Sequence, residues 1–267
     1  MVRQPAVADR FYPADPEILT STLRKLLPVQ PGKKRKAIAA IVPHAGYVYS
    51  GSTAGATLAG LDIPETVMLL GPNHYGQGAT LGLGIQPWRT PLGEVQVDTG
   101  LADLVLAGAP LVTVDETAHH REHSLEVQIP FLQLLRPEVK ILPLVVSSLT
   151  YGSCHEVGRQ LARAIRGHNR EVLVLASTDM THYEPRAQAQ HKDQAALKYI
   201  LRLDASGLFA TVHADHISMC GVIPATITLD AAIALGATGA ELVRYTDSGE
   251  ISGDTARVVG YAGLVIT

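Results

Sequence analysis

Apolar and polar positions along this chain fall into blocks that switch repeatedly between the strand and the helix pattern. Unbroken apolar runs rich in β-branched residues, closed by proline or glycine, read as strands buried on both faces. They predict strands over Ala37–Val42, Thr66–Leu70, Val139–Val146 and Glu171–Ser177, with Glu241–Thr246 and Val258–Ile266 closing the chain. Helical spacing predicts helices over Asp15–Leu27, Ser52–Leu61, Gly100–Gly108 and Glu122–Leu135. Asp15 caps the first of these with Pro16 in its opening turn, and Pro130 is expected to bend the last. Ser153 with Glu156 has the capping-box pattern and opens a helix to about Arg166. Further helices are expected over Gln188–Leu203 and Asp204–Thr211, and from about Gly221–Pro224 to just before Gly236. Ala79–Gln86 and Glu94–Asp98 alternate as a hairpin, and the prolines between them exclude a central strand there. Strands alternating with helices predict an α/β fold, a three-layer α/β/α sandwich on a central mixed sheet.

Composition narrows this picture. The 267 residues and their apolar share suit one domain spanning 1–267. Net charge is −3, and the one concentrated basic run, Lys33-Lys34-Arg35-Lys36, reads as a solvated linker, so no nucleic-acid partner is expected. Two cysteines make no disulfide framework, no stretch reaches membrane-spanning length, and Met-Val-Arg-Gln-Pro lacks the apolar core of a signal peptide. A cytoplasmic protein without a membrane partner is the expectation.

The strand ends carry the chemistry. His44 follows the run that stops at Pro43, His74 follows Gly71-Pro72-Asn73, and Asp179 and His182 follow Ser177. Open α/β sheets keep their ligands at the carboxyl ends of their strands. Cys220 stands at the mouth of a predicted helix, whose amino end favours a thiolate, and a thiolate with two imidazoles is a competent transition-metal set. Cys154, beside a helix start, reads as a structural cysteine. His119 and His123 are four apart, a spacing that lets them share a helix face, but His120 takes the place of the glutamate in His-Glu-x-x-His, which disfavours a metalloprotease. His123 or Glu126 can instead reach the strand-end cavity as an acid/base or supporting group. No phosphate-binding glycine loop is present.

Pro43-His44-Ala45-Gly46-Tyr47, Gly71-Pro72-Asn73-His74, Glu122-His123-Ser124, Ser177-Thr178-Asp179-Met180-Thr181-His182 and Met219-Cys220-Gly221, in this order, resemble the MEMO family. Its bacterial and archaeal members are also called AmmeMemoRadiSam system protein B. That family is in turn similar to the class III, LigB-like extradiol dioxygenases. The resemblance implies that His44, His74 and Cys220 are metal ligands, that Asp179, His182 and His123 line the same pocket, and that the metal is iron or copper. Cys220 departs from the dioxygenases, which place a glutamate there on iron(II). The bacterial name also implies a functional link to radical-SAM and AMMECR-type proteins.

Three functions follow as expectations. The first is a metal-dependent redox or oxygenase reaction on a small or peptide-borne substrate, with His182 as general acid/base and Asp179 orienting it or a bound water. The second keeps the pocket but holds zinc and hydrolyses. The third is a binding module whose vestigial cleft recognises a peptide or protein without reaction.

Overall fold

The computed structural model describes residues 1–29, 32 and 34–267; Lys33, the first residue of the basic run, lies outside the described residues. In chain order the elements are α1 (Pro16–Leu26), β1 (Ala39–Val42), α2 (Tyr47–Ala59), β2 (Thr66–Pro72), β3 (Leu81–Leu83), β4 (Trp88–Thr90) and β5 (Gly93–Val97). There follow α3 (Thr99–Gly108), β6 (Thr113–Val114), α4 (Ile129–Leu135), β7 (Lys140–Val146), α5 (Tyr151–His168), β8 (Val172–Ser177) and β9 (His182–Glu184). The chain ends with α6 (Arg186–Leu201), α7 (Ala205–Ala214), α8 (Val222–Leu235), β10 (Ala240–Asp247), α9 (Gly249–Ser252) and β11 (Val258–Ile266).

The sheet is mixed, in the order β10-β11-β1-β8-β2-β7-β3-β6. Its centre is parallel: β1 lies against β8 with Val42 opposite Ser177, and β2 lies against β7 with Pro72 opposite Val146. β8 and β2 are also parallel, so all four central strands end on one edge. The connection from β1 to β2 runs one way along the sheet and that from β7 to β8 runs the other. Right-handed crossovers therefore place α2 and α5 on opposite faces, giving the predicted three layers. Every residue of β1, β2 and β8 is buried, as their unbroken apolar runs require. Among the described residues no helix is long and apolar enough to cross a membrane.

Four local expectations are corrected. The hairpin pairs β4 with β5, while β3 pairs with β7 and β6. Prolines keep Trp88–Thr90 out of the central sheet, yet a short edge ribbon needs few donors and tolerates them. The helix expected from Glu122 begins only at Ile129, after a single 3-10 turn over Glu126–Gln128. Pro130 thus sits in the first turn, where its missing N–H is not needed and no bend follows. The start of α5 is capped by Thr150, whose Oγ1 accepts from the Ser153 N–H at 3.2 Å, while Glu156 turns to Arg163 and Gln160. Finally, α2 starts at Tyr47 instead of Ser52.

The early start of α2 matters for the site, because it brings the helix's amino end directly behind His44. Gly46 is the N-cap, and the Tyr47 hydroxyl donates to the Val127 carbonyl at 2.7 Å. About two turns further, a Cβ on Gly55 would overlap the Leu26 carbonyl, so α1 and α2 meet backbone to backbone. Gly55→Ala should force these helices apart and lower stability by about 1–3 kcal/mol, the usual cost of overpacking. Chemical denaturation checks this, and Gly60→Ala, where a Cβ meets nothing within 4 Å, is the control.

Candidate metal centre

His44 is the residue after the proline that stops β1, and it is 2 % exposed. Its backbone N–H donates to Asp179 Oδ1 at 2.8 Å, and its ring Nδ1 lies 3.0 Å from Ser177 Oγ. That hydroxyl donates to the Ser124 carbonyl at 2.6 Å and accepts from Gln128 Nε2 at 3.0 Å. Its proton is therefore committed, and toward His44 it can only accept. The hydrogen-bond network assigns the ring proton to Nδ1 and makes Nε2 an acceptor, with Cys220 Sγ 3.3 Å away. Burial, and the neighbouring His74, His123 and His182, hold this imidazole well below the usual histidine pKa, so it is neutral at pH 7.

His74 follows β2 and is positioned by a side chain from a distant loop. Its backbone N–H donates to Glu122 Oε2 at 2.7 Å and its Nδ1 to Glu122 Oε1 at 2.9 Å. Gly71 permits this approach: a Cβ there would lie 2.6 Å from Ser124 Oγ. Glu122 is fully buried and also accepts from the backbone N–H groups of His123 and Ser124, each at 2.9 Å. Burial alone would raise this carboxyl, but the His74 ring and the backbone donors outweigh it and bring it down to about 2. Glu122 is thus an anion fixed behind His74, with the His74 Nε2 left to face the cavity.

His123 stacks on His74 with ring centroids 4.6 Å apart, and His44 meets His74 edge-on at 5.1 Å. One nitrogen from each of His44, His74 and His123 lies within 4.8 Å of the others. Burial brings His123 down to about 4, so it too is neutral at pH 7. Among the described residues this is the one group of three or more metal-ligating side chains brought so close.

The other predicted site residues surround this cluster. Cys220 Sγ stands 3.3 Å from His44 Nε2 and accepts from the Asp179 N–H at 3.3 Å, but it lies outside the close group of nitrogens. Burial and the adjacent Asp179 raise its thiol above the ordinary value, against the pull of the amino end of α8. Asp179, also raised by burial, spends its carboxylate on the His44 backbone and thereby links the ends of β8 and β1. The ring of His182 is oriented by a carbonyl instead, its Nδ1 donating to Ser218 O at 2.8 Å, and its Nε2 remains free. Asp179 and His182 both line the cavity.

Two readings of the His119–Glu126 stretch are corrected. His119 is buried under Trp88 with its Nε2 3.1 Å from the Gly82 carbonyl, and that stretch is not helical, so it shares no face with His123. Glu126 does not reach the cavity. It is the buried anchor of the N-terminal segment, pairing with Arg3 and accepting from the N–H groups of Ala6 and Val7 and from the Tyr12 hydroxyl at 2.6 Å. That anchoring carries Phe11 to the site, where its ring lies 4.7 Å from His123. Cys154 is buried, as expected of a structural cysteine.

The cavity measures about 620 Å³; Phe11, Tyr49, Tyr183 and Tyr261 give it aromatic walls, with Arg257 among the lining residues. Tyr183 is 65 % exposed and has φ of 59°, a left-handed conformation that is strained for a bulky side chain. Such strain collects where a ligand is handled.

Fold and site together define an α/β protein with an imidazole cluster able to hold a metal at the carboxyl edge of its parallel strands. The chain belongs to the Memo family, whose model, described as Memo-like protein, matches residues 3–265. A MEMO1 family protein of Aquifex aeolicus is 42% identical over 266 residues, 99% of this chain and 98% of that protein. One of Methanosarcina barkeri is 40% identical over 266 residues, 99% of this chain and 100% of that protein. The crystal structure of an uncharacterized protein from Escherichia coli K12 covers 86% of this chain and 100% of that one at a TM-score of 0.58; at 15% identity this is a likeness of fold.

Proposed function

We propose that this protein binds a redox-active transition metal, iron or copper, and uses it in an oxygen-dependent or other redox reaction on a small or peptide-borne substrate. The observation that carries this reading is the convergence of three imidazole nitrogens within 4.8 Å on a cavity of about 620 Å³. The donor set fits such a metal: neutral imidazoles suit iron, copper and zinc, and an anionic carboxylate behind one of them strengthens its basicity. In this scheme His44 and His74 are ligands, His123 completes the imidazole face, and Cys220 joins from the side of His44. A bound cation would reverse the local preference of the Cys220 thiol and favour its deprotonation. The metal would supply Lewis acidity and electron transfer.

The chain's own groups divide the remaining work. His182, with Nδ1 committed to Ser218, has Nε2 available to take or return a substrate proton. Asp179 holds His44 in place through its backbone. The aromatic walls offer flat surfaces to the substrate.

Protein purified without added metal should carry about one iron or copper per chain by elemental analysis, and His44→Ala should lose it. Oxygen uptake by the metal-loaded protein, abolished in His44→Ala and reduced in His182→Ala, would support the redox reading. Stoichiometric zinc with hydrolytic turnover would replace it with the hydrolase. Wild-type protein that takes up none of these metals would overturn it.

A further inference from the structure

His155, Arg159, Arg163 and Arg166 stand four, four and three residues apart, which places them in one row on α5. The row is roughly 17 Å long at 1.5 Å per residue. All four line a cleft of about 420 Å³ between α5 and α8 that shares no residue with the imidazole cavity. Where the helices touch, a Cβ on Gly158 would lie 2.7 Å from the Asp230 Cβ and 2.8 Å from the Ile227 carbonyl, so only glycine lets α5 and α8 pack this closely beside the cleft.

The polar groups of the cleft are only partly used within the protein. Arg166 donates to the Ala234 carbonyl near the end of α8, and Arg163 lies 3.3 Å from Glu156. Arg159 has no carboxylate partner among the described residues. Each guanidinium has five donors, so most of this capacity remains free. Asp230, on the α8 side, is only 6 % exposed. Its Oδ1 accepts from His155 Nδ1 at 2.9 Å, while its buried Oδ2 has no partner.

We propose that this cleft is a second ligand site, separate from the metal centre, for a small phosphate ester that also carries a hydroxyl group. Arginine forks match phosphate oxygens in geometry and charge. A buried acceptor without a donor calls for one from outside the protein, and a hydroxyl supplies it. The carboxylate repels phosphate. The ligand therefore lies with its hydroxyl toward Asp230 and His155 and its phosphate along the arginines.

Calorimetric titration with ribose 5-phosphate at fixed ionic strength tests the assignment, with inorganic phosphate and ribose as the two half-probes. Wild type should show saturable one-site binding of ribose 5-phosphate, tighter than either half-probe. The Arg159→Gln/Arg163→Gln double variant alters exposed side chains and should keep its melting temperature and metal content. It should bind ribose 5-phosphate at least about tenfold more weakly, as expected for loss of charge-assisted hydrogen bonds. Asp230→Asn should weaken ribose 5-phosphate while inorganic phosphate binds no more weakly than to wild type. No saturable binding by wild type, or wild-type affinity in the double variant, would overturn the site. Equal affinity for ribose 5-phosphate and inorganic phosphate would overturn the role given to Asp230.

Discussion

Glu126→Ala is expected to lower the stability of this protein by about 3–5 kcal/mol, the cost of leaving one member of a buried ion pair alone. The side chains of Arg3 and Glu126 are 4% and 0% exposed, so water cannot replace the lost carboxylate. The arginine retains its bonds to the carbonyls of His119 at 3.1 Å and Glu122 at 2.7 Å, but its charge is no longer balanced. The Ala6 and Val7 N–H groups and the Tyr12 hydroxyl lose their acceptor as well. For a chain of this size the melting temperature should fall by roughly 10 °C. Glu241→Ala removes an ion pair with Arg35 whose side chains are 39% and 62% exposed, and should cost under about 1 kcal/mol. Thermal unfolding of both variants checks the contrast; equal losses would mean that the Glu126 network is not what holds the N-terminal segment.

That network also shows where a reading of the sequence stops. The central strands were legible because burial on both faces leaves unbroken apolar runs, and their order of appearance placed His44, His74 and Asp179 at strand ends. Parallel pairing then brings those ends to one edge, which the structure bears out. Glu122 and Glu126 were illegible for a physical reason. Both are fully buried carboxylates in an irregular stretch, positioned by partners 48 to 123 residues away, and no local periodicity marks such a contact. The helical spacing of Leu125, Ile129, Leu132 and Leu135 predicts a helix through both. The backbone instead satisfies itself with Glu122 as an acceptor and turns helical only at Ile129. The proximity of Glu122 and His123 in the chain was the available signal, since a carboxylate next to an imidazole cluster is the usual means of fixing ring orientation.

Glu122→Gln is accordingly expected to weaken metal binding about 10- to 100-fold while the fold survives. The carboxylate accepts from four donors at once, and its two oxygens are shared among the His74 backbone, the His74 ring and the backbones of His123 and Ser124. A glutamine offers one oxygen to this set and turns an NH2 toward the rest. Either the His74 ring or its backbone then faces a donor, and the ring is the freer to rotate because its side chain is 29% exposed. Rotation removes the His74 Nε2 from the point on which the other imidazoles converge. The two closest rings, 4.6 Å apart, lose their stacked arrangement in the same step. Competition against a chelator of known affinity measures the loss. The metal-free variant should be destabilised by only about 1–3 kcal/mol, the cost of unsatisfied buried donors. Wild-type affinity in Glu122→Gln would mean that His74 is held by its stacking on His123 alone, and would move the anchor of the site from the carboxylate to the rings.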